Sequence, residues 1–191
     1  MKSDLSIREA SVADAGALLE IYSYYVEKTA VSFEYEVPSL EEFEGRIRNI
    51  SAKYPYIVIE EKEAENTRIL GYAYAGSFHP RAAYQWCVET TIYLDKNARR
   101  QGIGRMLYTE LEERLKDRGF LNLNACIAVP DREDEFLTMD SVRFHEKMGY
   151  SMVGEFHKCG YKFDRWYNMV WMEKLIGVHG DNPKSPFSCK K

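Results

Sequence analysis

Histidine, cysteine and proline are scarce in this 191-residue chain, at four, four and six residues. The cysteines, Cys87, Cys126, Cys159 and Cys189, stand far apart and form no C-x-x-C pair. That spacing excludes the common zinc and dithiol signatures. A chain this long buries enough apolar surface to need no disulfide framework. Reduced thiols are the expectation. The histidines also lack ligand spacing, so no metal is expected. No apolar run approaches the ~18 residues of a membrane span. Residues 1–10 lack the apolar stretch of a secretory signal. A cytoplasmic protein without membrane association is therefore expected. Charge of one sign is missing too: 26 Lys and Arg face 30 Asp and Glu, a net charge of -4. Nucleic-acid-binding domains usually carry a basic face, so no nucleic acid is expected as partner. There is no G-K-[ST] of an ATP or GTP loop, and no G-x-G-x-x-G opening a first βαβ unit. No internal repeat is present.

What is there reads as one domain over residues 1–176, with a tail over 177–191 rich in Gly, Pro and Lys. The tail has no apolar period and is expected to be disordered. Residues 6–10 suggest an opening strand. Ser11-Val12-Ala13-Asp14 and Ser39-Leu40-Glu41-Glu42 have capping-box form and each opens a helix. The two helices carry apolar stripes: Leu18, Tyr22, Tyr25 and Val26 on the first, Phe43, Ile47 and Ile50 on the second. Residues 56–61 and 69–75 read as a hairpin around a charged turn, 61–66. Residues 88–94 form the clearest strand. Val88, Thr90, Ile92 and Leu94 share one face, and Glu89, Thr91 and Tyr93 the other. Ile103, Leu107, Leu111 and Leu115 mark a long helix that Gly119 stops. A strand over 121–127, an acidic loop over 131–140, a short helix ending at Gly149, and strands over 151–157 and 166–173 follow. The order β-α-α-β-β-β-α-β-α-β-β predicts an α/β or α+β layered domain: a mixed sheet with helices on its faces.

Chemistry concentrates where the 88–94 strand runs through a Gly-containing loop into the long helix. Gly102 lets the backbone approach a ligand closely. The first N–H groups of the helix have no internal partner and lie at its positive end, a setting that binds phosphate or pyrophosphate. Arg99, Arg100 and Arg105 add positive charge.

Arg99-Arg100-Gln101-Gly102-Ile103-Gly104 resembles the R/Q-x-x-G-x-G/A signature of the GCN5-related N-acetyltransferase (GNAT) superfamily. The branch it most resembles is that of phosphinothricin and methionine sulfoximine acetyltransferases, from Ile7 to about Trp171. Supporting segments are residues 29–33, 54–55, 71–75, 81–84, 88–93, 141–146 and 160–162. The resemblance implies the GNAT fold with a splayed, mostly antiparallel sheet, acetyl-CoA as co-substrate, and a homodimer. It also implies that main-chain groups of Ile92, Tyr93 and Leu94 hold the pantetheine arm, and that Arg99, Arg100, Gln101, Gly102, Ile103, Gly104 and Arg105 hold the pyrophosphate. The chain departs from the branch at His79, where the branch has a second basic residue. It departs again after Pro130, where the acidic loop is longer.

An amine attacks only when neutral, and alkyl amines are mostly protonated at pH 7. A general base is therefore useful. Glu89 is the candidate, and it matches the family's base. A backbone N–H of its strand would stabilise charge developing on the acyl oxygen. His145 stands four residues before Gly149, where many GNAT members have a tyrosine, and would hand a proton to the departing thiolate. Its bland alternative is a packed core histidine. Arg81 suits a substrate carboxylate, with Thr29, Phe33 and Tyr84 as pocket walls. Its alternative is a surface cation. No cysteine accompanies the base on its strand, which disfavours an acetyl-cysteine. The expected function is N-acetylation of a small amine, possibly an amino acid or analogue. The alternatives are a protein N-terminus or lysine as acceptor, or an acyl-CoA sensor without activity.

Overall fold

The structure, a computed structural model, describes residues 4–63, 66–98 and 102–188. Its elements are β1 (Asp4–Glu9), α1 (Ala15–Lys28), α2 (Leu40–Ser51), β2 (Tyr56–Glu63), β3 (Asn66–Ser77), β4 (Cys87–Leu94), α3 (Ile103–Asp117), β5 (Asn122–Val129), α4 (Asp140–Lys147), β6 (Ser151–Lys162) and β7 (Arg165–Leu175). This is the predicted order. The seven strands form one sheet, β1-β2-β3-β4-β5-β7-β6, antiparallel except at β4–β5.

Helices cover the sheet unequally. The run Tyr56-Ile57-Val58-Ile59 is apolar at every position because both faces of β2 are covered. Tyr56 and Val58 pack with α1 and α2, beside Leu18, Tyr22, Phe43 and Ile47. Ile57 and Ile59 pack on the other side with Leu107, Leu111 and Leu115 of α3. Further along the sheet only one face is lined this way. Leu123, Ala125, Ile127 and Val129 of β5 join the α3 core, as do Val170 and Met172 of β7. The opposite face of this half carries Cys126 and Trp171, which are register partners.

Caps behave as the spacing predicts. Glu42 N–H donates to Ser39 Oγ at 3.2 Å, and Ser11 N–H donates to Asp14 Oδ2 at 2.7 Å. Two expectations need correction. The charged stretch 61–66 is mostly strand, with Lys62 opposite Asp4 on β1 and Glu61 opposite Arg68 on β3. Neighbours on both edges satisfy the backbone there, so polar side chains do not end the strand. The tail also packs. Trp86 Nε1 donates to Lys184 C=O at 2.9 Å, and the Phe187 ring meets Tyr54 and Phe120 at 5.8 and 5.7 Å. One aromatic side chain seated on two others is enough to dock a segment that has no period of its own. No helix among the described residues is long and apolar enough to cross a membrane.

Candidate active site

β4 and β5 pair at three positions, Cys87↔Asn122, Val88↔Leu123 and Glu89↔Asn124. β4 then continues along β3 as far as Leu94, and β5 along β7 as far as Val129. The two strands therefore part after Glu89 and leave a wedge. Alternate residues of an antiparallel ladder turn their N–H and C=O to the same neighbour. Asp95 N–H bonds to Leu70 C=O on the β3 side, so Tyr93 also faces β3, while Ile92 and Leu94 face the wedge. Leu94 is already engaged: its N–H and C=O meet the Tyr25 hydroxyl at 3.3 and 2.6 Å. Of the three residues expected to bind an extended arm through the main chain, Ile92 is therefore the one that turns to it groups without a partner among the described residues.

α3 begins at the mouth of this wedge. Gly102, its N-cap, has φ +80°, a left-handed conformation that side chains disfavour. Ile103 and Gly104 are buried and Arg105 is exposed. A Cβ at Gly104 would stand 3.1 Å from Leu94 Cδ1, so glycine lets the helix start close against the end of β4. The first bond back to the cap is Met106 N–H to Gly102 C=O, at 3.1 Å. The preceding amides of α3 thus have no acceptor among the described residues and suit a ligand at the positive end of the dipole. Arg99, Arg100 and Gln101 lie outside the described residues. An open strand edge leading to an anion-binding helix start suits a ligand with an amide-bearing arm and a pyrophosphate, as in acetyl-CoA.

Glu89 sits where the strands part. Its side chain is half-buried and makes no ion pair with a described residue. Desolvation raises its pKa above the ordinary carboxylate value, and the charge of His79 partly offsets this. His145 is 3% exposed. Its Nδ1 lies 2.8 Å from Ser141 C=O and its Nε2 3.0 Å from Tyr108 Oη. A carbonyl can only accept, so Nδ1 carries the proton. Burial lowers the pKa of the ring, against the Ser141 bond, and favours the neutral form. Nε2 then accepts from the Tyr108 hydroxyl. That hydroxyl lies 2.7 Å from Thr90 Oγ1, which is 3.3 Å from Tyr150 Oη. His145 thus reaches β4 through Tyr108 and Thr90, next to Glu89.

The acceptor-side residues do not form one cluster. His79, Pro80, Arg81 and Tyr84 line a recess of about 300 Å³. The Tyr84 ring lies 5.0 Å from His79, and Arg81 is exposed without an ion pair to any described residue. Thr29 is buried, and its hydroxyl donates to Tyr25 C=O at 2.8 Å, closing the end of α1. Phe33 packs towards Tyr167, with ring centres 6.4 Å apart.

A family model described as an acetyltransferase (GNAT) domain matches residues 7–171. The chain belongs to the GNAT acetyltransferases. A phosphinothricin N-acetyltransferase of Streptomyces viridochromogenes is 32% identical over 170 residues, 89% of this chain and 87% of the relative. An L-methionine sulfoximine/L-methionine sulfone acetyltransferase of Pseudomonas paraeruginosa is 29% identical over 172 residues, 88% of this chain and 92% of the relative. Among solved structures, a GNAT superfamily phosphinothricin acetyltransferase from Sinorhizobium meliloti, in complex with AcCoA, matches with a TM-score of 0.82. It is 31% identical and the match covers 97% of this chain and 94% of that one. This GNAT enzyme is accordingly an acetyl-CoA-dependent N-acetyltransferase with the GNAT fold.

Several residues that the structure brings to the candidate site escape a reading of the sequence. Tyr108 sits among the leucines of α3 and looks like part of the apolar stripe. Thr90 looks like an ordinary strand residue, and Tyr150 like a packing residue. Their hydroxyls meet because α3, β4 and the segment after α4 converge, and nothing in their spacing signals it. Tyr25 is legible as a core residue of α1, but its bonds to Leu94 are not.

Proposed function

We propose that this enzyme transfers the acetyl group of acetyl-CoA to the amine of a small molecule, an amino acid or amino-acid analogue, by direct attack with Glu89 as general base. The observation that carries this reading is the half-buried Glu89 carboxyl at the parting of β4 and β5, with its pKa raised by desolvation. Acetyl-CoA supplies a thioester carbonyl open to amine attack and departs as a thiol. The incoming ammonium must first lose a proton. Glu89 takes it, directly or through water, and its raised pKa narrows the gap to the amine. After attack the nitrogen sheds its second proton and the departing thiolate takes one up, relayed by the hydroxyls of Thr90 and Tyr108 beside β4; His145, whose Nε2 accepts from Tyr108, orients that hydroxyl and does not itself donate. Arg81 offers a substrate carboxylate a guanidinium that has no ion pair among the described residues. The relatives' substrates, phosphinothricin and methionine sulfoximine, support an amino-acid analogue as acceptor.

Direct attack is favoured by the state of the thiols around Glu89: β4 begins one residue earlier than expected, at Cys87, which shares the base's strand, and desolvation raises the pKa of that thiol. Part of Cys126 reaches solvent, but its pKa is pushed up to about 12, by desolvation and then by the Glu89 charge. So little thiolate forms at neutral pH that Cys126 makes a poor acyl carrier.

A small acceptor is favoured over a basic peptide by the acidic loop. Most of this loop is exposed, but its carboxylates also bind within the protein. Asp134 Oδ1 accepts from the N–H groups of Phe136 and Leu137, each at 2.8 Å. Asp134 and Glu135 pair with Arg165, Glu133 pairs with Arg143, and Asp131 accepts from Asn168. Few carboxylates remain for a peptide. The same reading places the enzyme in the cytoplasm as a homodimer.

The test is Glu89→Gln. Turnover should fall by roughly 10²–10⁴, the usual span of general-base catalysis. Acetyl-CoA affinity measured by calorimetry should stay within about twofold. Unchanged turnover would remove Glu89 from the mechanism.

A further inference from the structure

Lys162 closes β6 and is 3% exposed, yet it has no ion pair among the described residues. A buried ammonium is costly unless its protons are bonded. Here Nζ donates to Val26 C=O at 2.7 Å and to Ser32 C=O at 2.6 Å. It also lies 5.1 Å from the centre of the Phe163 ring. Val26 is in the last turn of α1, and Ser32 lies beyond it. One side chain thus holds both ends of the segment that contains Thr29, and Phe33 follows immediately.

The rest of the β6–β7 tip grips the same segment. At Gly160 an added Cβ would overlap the Phe33 ring, so glycine is what lets the ring lie flat against β6. The Tyr35 hydroxyl donates to Tyr161 C=O at 2.6 Å. Ala30 N–H donates to Phe136 C=O at 3.0 Å, and Phe136 stacks on Phe163 with centres 4.2 Å apart. Ala30, Leu137 and Tyr167 form a small buried cluster beneath these contacts, separate from the two main cores. Three loops therefore meet at one point, and Lys162 is the charged group at their centre. The proposed mechanism gives it no other task.

We infer that Lys162 is a positioning residue for the amine pocket: it fixes the segment that carries Thr29 and Phe33, and so sets how the acceptor is held, without touching the acetyl donor. This rests on the reading that Thr29 and Phe33 wall the acceptor side. The wedge lies between β4 and β5 and the anion site at the start of α3; Lys162 bonds to none of these, and the Tyr25 link to Leu94 starts from within α1 rather than from the loop beyond it, so acetyl-CoA binding should not depend on Lys162.

Two variants test it in the full-length protein. Lys162→Met removes both hydrogen bonds while keeping the stem, and Gly160→Ala displaces Phe33 while keeping the ammonium. Steady-state kinetics on an amine that the wild type acetylates should show the amine KM raised about tenfold or more, a loss of ~1.4 kcal/mol in binding. The Kd for acetyl-CoA should stay within about twofold. In the double variant the two losses should combine to less than their product, since both act on one segment. Hydrogen exchange gives a readout independent of turnover: amides of residues 29–35 should exchange faster in Lys162→Met, and those of β4 should not. An unchanged amine KM in folded Lys162→Met, or a parallel rise in both substrates' constants, overturns the positioning role alone. A wild type that acetylates no small amine overturns the small-amine reading and the pocket role together.

Discussion

Glu89 is a single carboxyl from which its surroundings withhold water, and that has two measurable consequences. As a base it works only when ionised, so turnover should fall as pH drops through its raised pKa. The same shift affects stability. A carboxyl whose pKa is higher in the folded state binds its proton more tightly there, so stability falls as pH rises from the unfolded value through the folded one. Glu89→Gln should therefore melt at a higher temperature than the wild type near pH 7, with the gain disappearing at pH values below roughly 4. A melting temperature at pH 7 that is unchanged or lower would show that the carboxylate is well solvated. Tyr108 makes the complementary case. Tyr108→Phe strands Nε2 of neutral, buried His145 without a donor, and urea unfolding should register a loss of ~1–3 kcal/mol. Turnover should fall while acetyl-CoA affinity holds, and equal turnover would remove the hydroxyl chain from the mechanism. The place of Glu89 was legible because a charged residue alternates with apolar neighbours on a clear strand. Tyr108 was not, because its role depends on which three elements converge around its hydroxyl.

At the scale of elements, strand and helix order was readable from period, caps and glycines. Val88 to Leu94 alternates at period 2, and Ile103 to Leu115 repeats at i, i+4. The acidic loop is exposed at Asp131, Glu133 and Glu135, but its ion pairs were not legible, for a physical reason. Its partners Arg165, Tyr167 and Asn168 lie about 30 residues later on β7, and charge in a loop ordinarily means solvation. Gly102 tests the helix start. No described residue lies within 4 Å of an added Cβ there, so Gly102→Ala is opposed chiefly by the backbone, by ~1–2 kcal/mol at positive φ. Acetyl-CoA binding should weaken by about tenfold as the first turn of α3 shifts, with the amine KM much less affected. Calorimetry with acetyl-CoA reads this directly, and wild-type affinity would mean that the turn does not hold the donor.

At the scale of the molecule, one half of the sheet has helices on both faces and the other half has α3 on one. Strand β6 lies at the edge with Met152, Val153 and Phe156 exposed, and Trp166 at the start of β7 is 58% exposed. Apolar groups gathered on an edge and an open face suit a second copy of the chain. Sedimentation at micromolar concentration should give twice the chain mass, and Phe156→Glu with Trp166→Glu should give the monomer. A wild-type monomer would count against the dimer. The order of elements, the glycine that opens α3 and the position of Glu89 on its strand are local facts, settled by residues within a few places of one another, so the sequence alone determined them. The parting of β4 from β5, the hydroxyl chain to His145 and the Lys162 clamp join residues from 18 to 136 places apart. Only the tertiary structure decided those, because hydrogen bonds across such distances follow from how the sheet and helices pack and leave no periodic trace in the chain.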